Sequence, residues 1–150
     1  MFYLTSIIVF FLDQLIKRMV AVTMAPNQTI PLIKNVLHLT YVQNQGAAFG
    51  MFWGLRALLV LVGIIIIAFI IYFYHRAERS LWMSLALGCL VGGSLGNLVD
   101  RIFRHYVVDF IDFRFWPVFN LADIMINTGV FLVIILLLFN KEGGNAPHTT

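Results

Sequence analysis

The sequence predicts an all-α integral membrane protein: four transmembrane helices with a small β-structured segment between the first two. Three observations carry that reading. Of the 150 residues, 61% are hydrophobic and only 11% charged, whereas a soluble domain runs nearer half apolar and about a quarter charged. The apolar excess is gathered into long blocks, and a spanning helix needs roughly 20 such residues. The segment between the first two blocks instead alternates apolar and polar residues, the period of a strand.

The first element is FYLTSIIVFFLDQLIKRMVAVTM (2–24), interrupted by Asp13, Lys17 and Arg18. No positive region precedes its apolar run and no small-x-small site follows, so it reads as a retained span and not as a cleaved leader. Asp13 and Lys17 are four apart, which on a helix places them on one face where each can neutralise the other. Residues 25–56 form a long connection, strand-like from Val36 to Val42 and leading into a Gly-Ala-Ala stretch. Its apolar content is too high for a disordered linker, and a small β-structure on the membrane surface fits it.

ALLVLVGIIIIAFIIYFY (57–74) and LWMSLALGCLVGGSLGNLV (81–99) carry no charge at all, and VFNLADIMINTGVFLVIILLLF (118–139) carries one. These are spans two, three and four, joined by HRAERS (75–80) and by residues 100–117. In span three Gly88, Gly92 and Gly96 recur every fourth residue, a stripe on which another helix can pack closely. The tail KEGGNAPHTT (141–150) is polar and reads as disordered from residue 143, leaving one domain over residues 1–142. Cys89 lies inside span three and packs there as a small hydrophobe.

Four spans put both termini and HRAERS on one side. That side holds three cations, Arg76, Arg79 and Lys141, against seven on the other, counting span ends. A plain positive-inside count would place HRAERS outside. Five aspartates share the cation-rich side, however, so the charge bias alone does not orient the chain. The net charge of +3 is dispersed, and no basic run points to nucleic acid.

The chemistry is concentrated in VVDFIDFRFWPVFNLADIMI (107–126). An ionisable group inside a span costs about 2.5–3.5 kcal/mol even on the lenient insertion scale, and is a functional candidate for that reason. Asp109 is placed in a loop or surface helix after span three, and Asp123 about one turn inside span four. Pro117 lies between them and can turn the chain back, so both can meet at one membrane boundary. Two neighbouring carboxyls share a proton over a wide pH range, and such a pair can activate water and polarise an amide carbonyl. The plain alternative is ordinary ion pairing of the acids with Arg101, Arg104 and Arg114. Asn97 and Arg101 share a face at the end of span three, and Asn120, Asp123 and Asn127 share one on span four. Their side chains can hold a substrate backbone or bridge helices, and Asn127, deepest of them, is expected to be such a bridge.

Other chemistries find little support. The four histidines (His38, His75, His105, His148) show no HExxH and no metal-ligand spacing, so neither a metal nor another cofactor is expected. GGSLGN around Ser94 has a loose likeness to an intramembrane serine protease turn, but no histidine lies within a span to serve as its base. A small proton- or ion-coupled carrier using the same aspartates is the alternative from another class. Against it, the charges crowd one boundary and do not trace a path across the bilayer. An assembly partner held by structural ion pairs is a third.

Five segments together resemble one family: DQLIK (13–17), NQGAAFG (44–50), GNLVDR (96–101), VVDFIDF (107–113) and FNLADIMI (119–126). Their order and spacing are those of the lipoprotein signal peptidases (signal peptidase II), the bacterial aspartic proteases of the inner membrane. The resemblance implies that Asp109 and Asp123 are the catalytic dyad. It further implies that Asn44, Gly46, Asn97, Asp100, Arg101 and Asn120 bind substrate or support the dyad, and that Asp13 and Lys17 form a structural pair nearby. It implies a diacylglyceryl-modified prolipoprotein as substrate, cleaved before the lipidated cysteine, with membrane lipids and globomycin-type inhibitors as further partners. The expected location is the bacterial cell membrane, with cytoplasmic termini and the site at the outer leaflet. The chain departs from the family in beginning almost directly with its first span, and in carrying Ile124 after the second aspartate.

Overall fold

The computed structural model describes residues 1–46, 54–76 and 80–143, with side chains described as far as residue 139. The GAAFG stretch beyond Gly46 and the tail from residue 144, expected to be disordered, lie outside the described residues. The chain is mostly helical, in the order α1 (Phe2–Thr23), β1 (Thr29–Ile33), β2 (Leu37–Asn44), α2 (Arg56–Arg76), α3 (Leu81–Phe103), β3 (Val107–Asp112) and α4 (Leu121–Gly143).

Polarity is distributed inside out relative to a soluble protein. Asp13, Lys17, Asp100 and Asn120 are each 0% exposed, while Phe11, Phe69 and Phe131 are each more than 60% exposed. Water as solvent would reverse that assignment; a bilayer produces it, because apolar surface costs nothing there and polar groups must find partners inside the protein. Among the described residues α2, α3 and α4 (the last over Leu121–Phe139) are long and apolar enough to cross a membrane. Helix α1 is 22 residues long, about 33 Å at 1.5 Å per residue, but carries three charges. Its charged residues Asp13 and Lys17 are fully buried.

Helix α3 is central. Its N-terminus is capped by Ser80, whose Oγ accepts from the Met83 N–H at 3.1 Å. The glycine stripe does what its spacing predicts. A Cβ on Gly88 would meet Phe2 O at 2.9 Å, and one on Gly92 would meet Ser6 O at 2.7 Å, so α1 packs directly backbone to backbone on α3. On another face of α3 a Cβ on Gly93 would lie 2.6 Å from Ala122 O, and Gly129 on α4 answers with Ala86 O at 2.7 Å. Helix α2 packs through Ile67 and Ile70, which join Phe2, Met83, Leu87, Val91 and Leu98 in the main apolar core.

The strand expected at 36–42 is β2, the middle of an antiparallel sheet in the order β1-β2-β3. Asp109 corrects the sequence reading: it lies on strand β3, not in a loop or surface helix. Val107, Val108, Asp109 and Phe110 are all buried, so the strand shows no polar–apolar alternation. The pairing that makes it a strand is with β2, Asp109 opposite Val42 and Val107 opposite Asn44. Val108 and Phe110 pack with Val20, Met24 and Tyr41 in a second core, which seats the sheet on the end of α1.

Candidate active site

Three elements converge at the sheet end of the helices: the C-terminal turns of α3, strand β3 with the end of β2, and the N-terminus of α4. Residue Asn120, just before α4, organises the meeting. Its Oδ1 accepts the Asp123 N–H at 3.0 Å, while Asp123 Oδ2 accepts the Asn120 N–H at 3.2 Å. This reciprocal box satisfies two N–H groups that a helix start leaves open, with aspartate in the place usually held by glutamate. An acid in the first turn also suits the positive end of the helix dipole.

The carboxyl oxygens of Asp109 and Asp123 are held by amides on defined sides. Asp109 Oδ1 accepts from Asn120 Nδ2 at 2.6 Å and Oδ2 from Asn44 Nδ2 at 2.8 Å. Asp123 Oδ1 accepts from Asn97 Nδ2 at 2.8 Å. Each of these asparagines has its own oxygen committed to an obligatory donor. Asn44 Oδ1 takes the Gly46 N–H at 2.9 Å, Asn97 Oδ1 takes the Lys17 ammonium at 2.8 Å, and Asn120 Oδ1 takes the Asp123 N–H. An ammonium and a backbone N–H have no acceptor to offer, so none of the three amides can turn over. All three therefore present N–H groups to the aspartates. Asn120 also links the two acids, donating to Asn97 Oδ1 at 3.2 Å as well as to Asp109.

Behind this layer Lys17 is completely enclosed, with Asp13 Oδ2 at 2.9 Å and Asp100 Oδ2 at 3.1 Å. With Asn97 these three acceptors use all three ammonium protons. Asp13 Oδ1 accepts the Ala122 N–H at 2.9 Å, tying α1 to the start of α4. Asp100, expected among the lining residues, is buried beneath them and accepts from Lys17, from Arg104 Nε at 3.3 Å and from the Val108 N–H at 3.3 Å. Arg101 does reach the cavity: its Nη1 and Nη2 donate to Asn97 O at 3.4 Å and Gly46 O at 3.1 Å. Gly46 thus connects Asn44 to Arg101.

Asp112 stands apart from this network. Its carboxylate takes the Thr40 hydroxyl at 2.7 Å and the Arg114 N–H at 2.8 Å, with the Arg114 guanidinium at 3.7 Å. Burial would raise its pKa, but these donors and the Arg114 charge outweigh it and hold the carboxyl below its usual value. Asn127 does not bridge helices. Its Nδ2 donates to Asp123 O on its own helix at 2.9 Å, and its side chain is exposed.

Gln14 and Thr40 are polar partners that the sequence reading missed. Gln14 Nε2 reaches Gly96 O at 3.1 Å and approaches Asp13 and Asp100 at 3.3 Å. It lies inside DQLIK, and its adjacency to Asp13 was the available signal. The apolar wall of Trp116, Pro117, Val118 and Phe119 gave no such signal, since nothing distinguishes it from core in one dimension.

These groups surround a cavity of about 1180 Å³ lined by Asn44, Gly46, Asn97, Arg101, Asp109 and Asp123 and continuing along α4 past Ile124 to Thr128. Asp109 is 2% exposed. Burial, and next the charge of Asp123, push its pKa up to about 7, against the opposing hydrogen bonds from Asn44 and Asn120. Near neutral pH the pair therefore holds one proton readily. Both carboxyls line one cavity, and a carboxyl whose pKa is raised to near neutrality can there serve as a proton donor.

Known proteins resemble this chain over nearly its whole length. A family model described as signal peptidase (SPase) II matches residues 5–139. The lipoprotein signal peptidase of Halothermothrix orenii is 45% identical over 145 residues, 97% of this chain and all of that protein. That of Moorella thermoacetica is 45% identical over 151 residues, covering 97% and 99% of the two chains. A bacterial membrane enzyme solved by the in meso method at 2.3 Å superposes with a TM-score of 0.91 at 33% identity, covering 98% of this chain and 93% of the other.

Proposed function

Because the chain belongs to the signal peptidase II family and is an aspartic endopeptidase of prolipoprotein processing, we propose that Asp109 and Asp123 are its catalytic dyad. The observation that carries this is the amide cage: Asn44, Asn97 and Asn120, none able to turn over, hold both carboxyls at the wall of one cavity. In the proposed reaction Asp109 holds the shared proton and donates it toward the scissile carbonyl oxygen. Asp123 takes a proton from the attacking water, the new C–O bond forms, and a tetrahedral intermediate results. The carbonyl then re-forms, returning its proton to Asp109, as the C–N bond breaks. The departing amine of the lipid-modified cysteine receives the proton held by Asp123.

Arg101, Asn97 and Gly46 belong to the substrate-facing lining in this reading, whereas Asp13, Lys17 and Asp100 act from behind by holding Asn97 and the start of α4. The acyl chains of the substrate remain in the bilayer, which places the scissile bond at the headgroup boundary where the sheet meets the helices. We take α1 as the fourth span, since its buried charges are satisfied by Asp100 and Asn97 and so need not meet lipid. Both termini then lie in the cytoplasm and the cavity faces the outer leaflet of a multi-pass protein. Residues 1–142 form the peptidase domain. Globomycin-type peptides would compete for the same cavity.

The test is incubation of purified chain with a diacylglyceryl-modified prolipoprotein. Asp109→Asn and Asp123→Asn are each expected to lower cleavage by at least about 100-fold, from the usual contribution of a positioned acid or base, with folding retained. Near-normal turnover in either single variant would remove that residue from the dyad.

A further inference from the structure

Asn127 has no place in the network around the dyad, and its position is unusual. It lies four residues along α4 from Asp123, about 6 Å deeper in the bilayer, on the cavity wall between Ile126 and Thr128. Its Nδ2 is committed to Asp123 O, and among the described residues its Oδ1 has no partner. A polar side chain within a membrane helix is costly toward lipid, so Asn127 suits a position facing the cavity and what enters it. Oδ1 is an acceptor, so a substrate group that complements it is a donor.

The reaction supplies one. A scissile bond can be attacked only where the substrate is not helical, because in a helix its carbonyl is engaged and shielded by side chains. The segment entering the cavity must therefore be extended, and each unwound residue brings an N–H with no intrachain partner into an apolar environment. Leaving such a group unpaired is unfavourable enough to weaken binding severalfold or more. At about 3.3 Å per extended residue, 6 Å corresponds to about two residues from the cleaved bond. The diacylglyceryl esters also reach this depth, but an ester has a carbonyl and no N–H, and so does not complement Oδ1.

We propose that Asn127 is a substrate-holding residue, whose Oδ1 accepts a backbone N–H of the unwound signal peptide two or three residues before the cleaved bond. Asn127 then sets how far the peptide unwinds and which bond reaches the dyad. This rests on the cavity being the peptidase site, as proposed above.

Binding tests it without turnover. Diacylglyceryl-modified signal peptides are titrated onto the Asp109→Asn chain, with and without Asn127→Leu. One peptide is all amide, and others replace a single backbone N–H by an ester oxygen at each of the three residues before the cleaved bond. Asn127→Leu is expected to weaken the all-amide peptide about three- to tenfold. At one ester position binding should weaken by a similar factor while Asn127 is present, and weaken no further once Asn127→Leu has been made. Equal affinity with and without Asn127→Leu overturns the proposal. So do ester penalties that are the same in both backgrounds at every position. The dyad reading is judged separately, by whether the Asp109→Asn chain cleaves the all-amide peptide.

Discussion

Asp109 shows most directly how one side chain's surroundings set its chemistry. Its pKa of about 7 exceeds the ordinary 3.8 because burial removes water from the charged form and Asp123 adds a like charge. A raised carboxyl pKa means that the folded chain binds this proton more tightly than the unfolded chain. The stability it contributes is therefore fully present below pH 3.8 and is lost as pH rises through about 7. Asp109→Asn is expected to flatten the fall in unfolding temperature across that interval, measured in detergent. For turnover, the protonated member of the pair is needed, so kcat/KM is expected to decline as pH rises through about 7. A profile that stays level well into the alkaline range would contradict a proton donor at this position.

At the scale of elements, close helix contact depends on single missing methyl groups. A Cβ on Gly92 would stand 2.7 Å from both Ser6 O and Val9 Cβ. The first of these is backbone, so α1 and α3 would have to separate. Gly92→Ala is expected to lose about 1–3 kcal/mol by overpacking, seen as a lowered unfolding temperature. At Gly63 a Cβ would meet only Leu98 Cδ1 at 3.4 Å, a side-chain end that can yield, and Gly63→Ala should leave stability nearly unchanged. A larger loss at Gly63 than at Gly92 would mean that α2, not α1, is the close partner of α3. The elements also mark where one-dimensional reading ran short. The helices were legible because an apolar run is a local property, and the glycine stripe because its period is that of a helix. Strand β3 was not, since Val107–Phe110 are buried on both faces and carry no alternating signal. Asn127 resembled a helix bridge in sequence because depth in a span is readable, whereas the direction a residue faces is not.

For the whole molecule, the buried ionic cluster joins three segments that are far apart in the chain. Lys17 on α1 meets Asp100 and Asn97 on α3, and Asp13 holds the first turn of α4 through Ala122. Lys17→Met would leave Asp13 buried without its counter-ion and Asp100 with Arg104 as its remaining cation, and is expected to cost about 3–5 kcal/mol. Adding Asp13→Asn should recover part of that loss. A single variant as stable as the parent would show that the cluster does not hold the helices together. The proposed orientation makes a separate prediction. Lys34→Cys, in the exposed turn between β1 and β2, should react with a membrane-impermeant thiol reagent in intact cells, and Arg76→Cys, at the end of α2, should not. The reverse pattern would invert the chain in the membrane.

The sequence by itself determined the membrane class, the helices and the two aspartates worth watching, because composition and helical period are written along the chain. The five-segment resemblance to signal peptidase II was also present there in full. The tertiary structure decided how those residues are held. It put Asp109 on a strand, since only pairing with β2 makes that segment extended. It placed Asp100 behind the site with Lys17, and turned the three asparagines so that their N–H groups face the acids. Those orientations come from partners distant in the chain, and a hydrogen-bond direction is a property of the pair, invisible in either residue alone.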